Sequence, residues 1–169
     1  MEVLVQEASI IHVNEVIEVL VAAALWLKEE EGLCHWSRHI SKWNEDFIIN
    51  IINSSGNLML VALNTNKVVG LVMVSSRAPD YHPQYRKKLP DTIRYISKLA
   101  VHPNHMGQKI GSLLLSKAEQ HILDSGASTA SLDWYKPADL TRFYEIRGYK
   151  QICEDTRGVF AEKTLISFS

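Results

Sequence analysis

The chain has 169 residues, 46% of them hydrophobic and 22% charged, which fits one globular domain able to bury its own core. Its formal net charge of −1 excludes a global pull toward nucleic acid or anionic lipid. The basic run Arg86-Lys87-Lys88 is too short to form a nucleic-acid face. Two cysteines, Cys34 and Cys153, make no disulfide framework and read as free thiols in a reducing cytoplasm. The longest uninterrupted apolar stretch, Val19 to Leu27, stops at Lys28, short of the ~20 residues that span a bilayer.

In chain order, Val3 to Glu7 alternates as a strand does. Val13, Val16, Ile17, Leu20, Ala23, Ala24 and Leu27 follow helical spacing, with Asn14 as the expected cap. A second helix is expected over Asn44 to Asn53, with Phe47, Ile48, Ile51 and Ile52 on its buried stripe. Leu58–Leu63 and Val68–Ser75 are strand-like, joined by a polar turn of hairpin length, Asn64-Thr65-Asn66-Lys67. Ala78 to Asp91 carries Pro79, Pro83 and Pro90 and reads as a long excursion. Then come a strand over Ile93–Val101, an amphipathic helix over Ile110–Leu123, a strand over Ser128–Trp134 and a short helix over Asp139–Arg147 stopped by Gly148. Strands over Tyr149–Glu154 and Val159–Phe168 close the chain. The order β-α-α-β-β-β-α-β-α-β-β predicts an α/β (α+β) fold with a mixed, mostly antiparallel central sheet flanked by helices.

The stretch from Ile96 to Leu115 carries the chemistry. A strand runs into a proline-bounded turn at Pro103, a loop with Gly107 and an amphipathic helix with Gly111 in its first turn. Glycines let backbone approach an anion, and the N–H groups at a helix start, with the positive end of its dipole, suit a pyrophosphate. Lys109 adds a mobile charge. Neither the Walker ending Gly-Lys-Ser/Thr nor Gly-x-Gly-x-x-Gly is present, and an ordinary strand-turn-helix connection with two packing glycines has the same pattern.

Leu99-Ala-Val-His-Pro followed by Gly107-Gln-Lys-Ile-Gly-Ser-Leu-Leu resembles the CoA-binding motif of the GNAT N-acetyltransferases. The family pattern is Arg/Gln-x-x-Gly-x-Gly/Ala. Gly111 matches its last position, while Met106 stands where Arg or Gln is usual and Lys109 where the middle glycine is usual. The resemblance implies acetyl-CoA as co-substrate, with no metal. Its pyrophosphate would lie on the segment Met106, Gly107, Gln108, Lys109, Ile110, Gly111 and Ser112. It also implies a bulged strand whose residues Leu99, Ala100 and Val101 pair with the pantetheine arm and aim an N–H at the developing oxyanion. With a side chain at Lys109, that backbone must reach a glycine's shape unaided.

Phe143-Tyr-Glu-Ile-Arg-Gly-Tyr149 resembles the later family motif Leu/Phe-Tyr-Glu-Lys-x-Gly-Phe/Tyr. On that match Tyr144 is the acid that serves the departing thiolate. Phe143 and Tyr144 also fit a plain reading as core aromatics. The resemblance covers Leu58 to Phe168 in element order and Ile96 to Tyr149 in motifs. It implies a single acyl-CoA N-acyltransferase domain over 1–169 that moves acetyl directly onto a primary amine of a small molecule or protein. A homodimer is a family expectation. Nucleic-acid and membrane partners are not expected. A non-catalytic CoA-binding sensor on the same scaffold is the alternative.

The resemblance places Tyr95 and Ser97 where relatives often keep a base, and neither is an obvious base near neutral pH. His102 and Asp133 are nearby candidates. Trp26, Trp36 and Trp43, with His35 and His39, fit either an acceptor pocket or plain packing. Cys34, His35 and His39 mimic half a zinc site without a second ligand cluster. The Tyr81-His-Pro-Gln-Tyr85 segment reads as an acceptor cover or a variable surface loop.

Overall fold

The computed structural model describes residues 2–85 and 88–166. Arg86 and Lys87 of the basic run lie outside them. The helices are α1 (Val13–Glu31), α2 (Glu45–Asn53), α3 (Ile110–Asp124) and α4 (Thr141–Glu145). The strands are β1 (Val3–Glu7), β2 (Asn57–Asn64), β3 (Lys67–Ser75), β4 (Ile93–Val101), β5 (Thr129–Tyr135), β6 (Lys150–Glu154) and β7 (Gly158–Thr164). The strand order is β1-β2-β3-β4-β5-β7-β6. The β1/β2, β5/β7 and β6/β7 pairs are antiparallel, and β4/β5 is parallel. The predicted element order holds throughout.

The chain packs as two compact units, one of 1–73 with 98–118 and the other of 74–97 with 119–169. In the first, Val16, Leu20 and Ala24 of α1 are fully buried at helical spacing. They join Ile48 of α2, Met59 and Val61 of β2 and Leu71 of β3 in one core. Glu15 on α1 accepts the Val68 N–H at 2.8 Å, so a carboxylate satisfies the start of β3. The β2–β3 turn narrows to Thr65 and Asn66, both left-handed (φ +50° and +66°), as a two-residue hairpin turn demands.

The cap of α1 differs from expectation. A short 3-10 turn, Ile10–His12, leads into the helix, and the Ser9 N–H donates to His12 Nδ1 at 3.0 Å. Asn14 therefore lies inside the helix. The Asn44 cap of α2 is as read, its Oδ1 accepting the Phe47 N–H at 2.9 Å. Only Ile48 of the α2 stripe is fully buried, while Phe47, Ile51 and Ile52 pack partly against the core. Within Ile10–Glu31 an 18-residue window reaches a mean hydropathy of 1.8, so this helix is long and apolar enough to cross a membrane, although its uninterrupted apolar stretch is much shorter. The helix interior to a core accounts for the same apolarity, since its stripe packs against β2 and β3.

In the second unit, β5 pairs with β7 along its whole length, from Thr129↔Thr164 to Tyr135↔Gly158. The 76–92 excursion is anchored by His82. Its Nδ1 accepts the N–H groups of Gln84 and Tyr85 (3.1 and 3.2 Å), and its ring packs against Tyr85, Tyr95 and Phe160. Helix α4 starts later than expected because Asp139 is left-handed (φ +51°) and cannot sit in a right-handed helix. Strand β7 ends at Thr164, short of the expected Phe168, which lies outside the described residues.

Candidate active site

The phosphate-loop candidate lies in the first unit. Pro103–His105 forms a 3-10 turn whose start His102 caps, Nδ1 accepting the Asn104 N–H at 3.2 Å. His102 thus has a local structural use. Met106 is extended, and Gly107 and Lys109 are then both left-handed, with φ of +76° and +62°. Lys109 takes the conformation of a glycine while carrying a side chain, as the loop's shape demands. The next residue, Ile110, opens α3. The first backbone bond into the helix runs from the Leu113 N–H to the Lys109 carbonyl (3.1 Å), so the N–H groups of Ile110 and Gly111 lie ahead of it at the positive end. Met106 to Lys109 are exposed, and Gly111 and Ser112 are half-buried. An exposed loop that twice turns left-handed into a helix start fits the two negative charges of a pyrophosphate.

Close packing fixes this helix start. A Cβ at Gly70 of β3 would lie 2.9 Å from Leu114 Cδ1, 3.0 Å from the Ala100 carbonyl oxygen and 3.2 Å from Ile110 Cγ2. The expected strand break is present one residue ahead of the predicted trio. Lys98 is left-handed (φ +54°) in the middle of β4, followed by half-buried Leu99, buried Ala100 and half-buried Val101. Burial pushes the Lys98 ammonium below its ordinary value.

Tyr144 lies in the second unit, buried on α4. Its ring stacks on Trp134 and meets Phe143 and Tyr149 edge-on. Burial first, then the charge of Asp133, push its phenol up to about 12, against a smaller opposing pull from Arg147. Tyr144 therefore stays protonated across the working pH range. Full transfer of its proton to a thiolate, whose thiol sits near ~8.5, would run uphill. In the role that the resemblance implies for Tyr144, a hydrogen bond to sulfur would be the service open to it.

The candidate bases also resolve in this unit. The Tyr95 hydroxyl donates to Asp133 Oδ1, and the Tyr81 hydroxyl donates to Asp133 Oδ2 at 3.3 Å. Burial and the carboxylate hold both phenols far above their ordinary value, so they are neutral donors. Asp133 is itself raised, by burial, while the two hydroxyl bonds pull the other way. Tyr95 is thus a neutral donor, with the Asp133 carboxylate as its acceptor. Ser97 is half-buried on β4. Sequence reading named Tyr95, Tyr81 and Asp133 separately and missed that they converge, because the bonds join β4, the excursion and β5. Among the described residues, no three metal-ligating side chains converge, and His39 sits in a 3-10 helix with His35 outside it. Trp36 and Trp43 pack edge-to-face at 6.0 Å, with Trp43 in the core.

The chain matches the Acetyltransferase (GNAT) family over residues 21–149. It belongs to that family. An aminoalkylphosphonate N-acetyltransferase from Salmonella typhimurium strain LT2 is 34% identical over 110 residues, 64% of this chain. The match spans 66% of that relative, just under two thirds of its length. In fold, the chain resembles the PaiA N-acetyltransferase of Thermoplasma acidophilum in complex with coenzyme A, at a TM-score of 0.79 and 21% identity over 97% of this chain and 99% of the other. A GNAT-family acetyltransferase of Listeria monocytogenes 4b F2365 aligns at a TM-score of 0.77 and 17% identity, over 98% and 96%. These structures share the fold of this chain, whose seven-stranded, mostly antiparallel sheet is flanked by helices.

Proposed function

We propose that this GNAT protein transfers acetyl from acetyl-CoA directly to a primary amine of a small molecule, with aminoalkylphosphonates as the first acceptors to try. The observation that carries the reading is the left-handed pair Gly107 and Lys109 at the start of α3. Those two residues and the helix-start N–H groups would hold the pyrophosphate. Leu99, Ala100 and Val101, past the break at Lys98, would offer backbone to the pantetheine arm and an N–H to the oxyanion. Tyr144 would donate a hydrogen bond to the thiolate.

Direct attack is supported by the cysteines. Burial and the nearby Asp155 and Glu162 carboxylates push the Cys153 thiol up, which disfavours the thiolate an acyl carrier needs. We further propose a reducing, cytoplasmic setting, in which Cys34 and Cys153 would stay free thiols. The acceptor class comes from the relative that acetylates aminoalkylphosphonates by name.

The test is calorimetric titration of the protein with acetyl-CoA beside Gly111→Trp. A Cβ at Gly111 meets only Val101 Cγ2, at 3.8 Å, so the backbone tolerates a side chain while its bulk fills the loop. Binding by the native chain, loss in the variant, and thiol release on adding aminoethylphosphonate are the expected results. A folded native chain that binds no acetyl-CoA would overturn the reading.

A further inference from the structure

We infer that the Asp133 carboxylate, fixed by Tyr95 and Tyr81, receives the ammonium group of the acceptor and takes its proton. The inference rests on the acetyl-transfer reading for its chemistry and on the second unit for its geometry.

A carboxylate offers about four lone-pair sites. At Asp133 the Tyr95 hydroxyl occupies Oδ1 and the Tyr81 hydroxyl approaches Oδ2 at 3.3 Å and Oδ1 at 3.5 Å. Both donors are neutral, and among the described residues no Lys, Arg or His forms an ion pair with this carboxylate. Asp133 is half-buried, which leaves it reachable. A partly desolvated carboxylate without a cation has strong reason to accept one.

The walls suit an ammonium. Asp133 is in register with Phe160 on β7, so the two share a face of the sheet. The Tyr81 and Phe160 rings stand 6.2 Å apart, and His82 packs between Phe160 and Tyr95. Aromatic faces beside an anion complete a receptor for a small cation. The place also suits the reaction. The registered pairing of β5 with β4 covers Ile93↔Thr129 to Tyr95↔Ser131, and β5 runs on through Leu132, Asp133 and Trp134 to Tyr135. Trp134, the next residue, projects to the other face and carries the stacked Tyr144, whose phenol is still within reach of the Asp133 charge.

In the step, the ammonium gives one proton to the carboxylate, leaving a neutral amine and a carboxylic acid. The nitrogen lone pair attacks the thioester carbonyl carbon, the C–N bond forms, and the C–S bond breaks with its electrons on sulfur. The nitrogen sheds its second proton to sulfur through solvent, with Tyr144 hydrogen-bonded to the departing thiolate. The products are amide and free thiol, and the proton held by Asp133 passes to water. Burial supports this role by making Asp133 a stronger base than an ordinary aspartate, with the Asp155 charge adding in the same sense and Tyr95 and Tyr81 opposing it. The Arg157 charge acts on Tyr81 and the Asp133 charge on Tyr144, and Arg157 is included in the titration below.

The experiment uses the full chain labelled with carboxyl carbon-13 aspartate, the Asp133 resonance being assigned from Asp133→Asn. Aminoethylphosphonate should move that resonance, and ethylphosphonate, which lacks the amine, should not. In turnover, Asp133→Asn should lower kcat/KM for the amine by about 100-fold, remove the acidic limb of its pH profile and leave the acetyl-CoA Kd within about twofold. The asparagine Oδ1 still accepts the Tyr95 hydroxyl and its Nδ2 can donate to the Tyr81 oxygen, so both tyrosines keep a partner. Tyr81→Phe, which keeps the carboxylate, should retain the limb, and so should Arg157→Gln. A resonance unmoved by the amine, or an Asp133→Asn variant within about threefold of native kcat/KM, overturns the inference. A moved resonance without acetyl transfer would support the amine site and sink the acetyltransferase reading instead.

Discussion

The Trp134 indole lies nearly flat on the Tyr144 ring, with centroids 5.1 Å apart and planes 14° from parallel. The stack uses the ring face and leaves the hydroxyl out of it, so packing and chemistry separate within one side chain. Tyr144→Phe should therefore fold like the native chain and keep its acetyl-CoA KM within about twofold, while kcat falls by about 100-fold. Steady-state kinetics with a thiol readout checks this. Full turnover in the variant would leave Tyr144 a core aromatic only.

Lys109 holds a left-handed backbone without a glycine's freedom. Lys109→Ala and Lys109→Gly remove the same charge and differ in that strain. The glycine variant should be more stable than the alanine variant by about 1 kcal/mol in urea unfolding, since a side chain in the left-handed region costs about 1–2 kcal/mol and glycine's extra freedom in the unfolded chain offsets part of it. Both should bind acetyl-CoA a few-fold more weakly than native at low salt, with the deficit shrinking as salt rises. Equal stabilities would mean that residue 109 relaxes out of the left-handed region once its side chain changes.

Local pattern made most of the fold legible. The stripe of Val16, Leu20 and Ala24, the Asn44 cap and the polar turn before Lys67 each depend on neighbours within a few residues, and each is found where the periodicity puts it. The helix-start loop was legible because its glycine, turn and amphipathic helix are contiguous. What escaped depends on residues distant in the chain. Tyr95, Asp133 and Tyr81 meet through a parallel strand pair and an excursion, and no spacing rule joins positions 38 and 52 residues apart. Glu119 escaped likewise. It accepts the Tyr149 hydroxyl at 3.1 Å and pairs with Lys163 at 3.0 Å, yet in sequence it is one more polar residue on a helix.

Asp133 should show a cost of its environment. Burial raises its carboxyl, so the folded chain holds that proton more tightly than the unfolded chain does. The linked stability is complete below the unfolded value of about 3.9 and is lost as pH rises through the higher folded value. Asparagine has no proton to lose. Asp133→Asn should therefore gain stability over the native chain between about pH 4 and pH 8, seen as a urea midpoint difference that grows with pH. A difference that shrinks toward pH 8 would mean that the hydroxyl bonds outweigh burial.

Gly70 and Gly111 look alike in sequence and have opposite surroundings. At Gly70 an added methyl meets Leu114, the Ala100 carbonyl and Ile110 at 2.9 to 3.2 Å, and the carbonyl cannot rotate away as a side-chain end can. Gly70→Ala should cost about 1–3 kcal/mol, lowering the thermal midpoint by roughly 2–12 °C. Acetyl-CoA affinity should drop with it, because Ala100 and Ile110 belong to the strand and helix start that frame the loop. At Gly111 the nearest contact is an ordinary 3.8 Å, and alanine suits a helix better by up to about 1 kcal/mol. Gly111→Ala should hold or raise the midpoint and keep acetyl-CoA binding within a few-fold of native, because the family pattern admits alanine at this position and an added methyl meets only an ordinary contact, whereas the bulk of Gly111→Trp would block the loop. Thermal melts with and without acetyl-CoA separate the two effects. If Gly111→Trp bound acetyl-CoA at native affinity, the pyrophosphate would not approach residue 111.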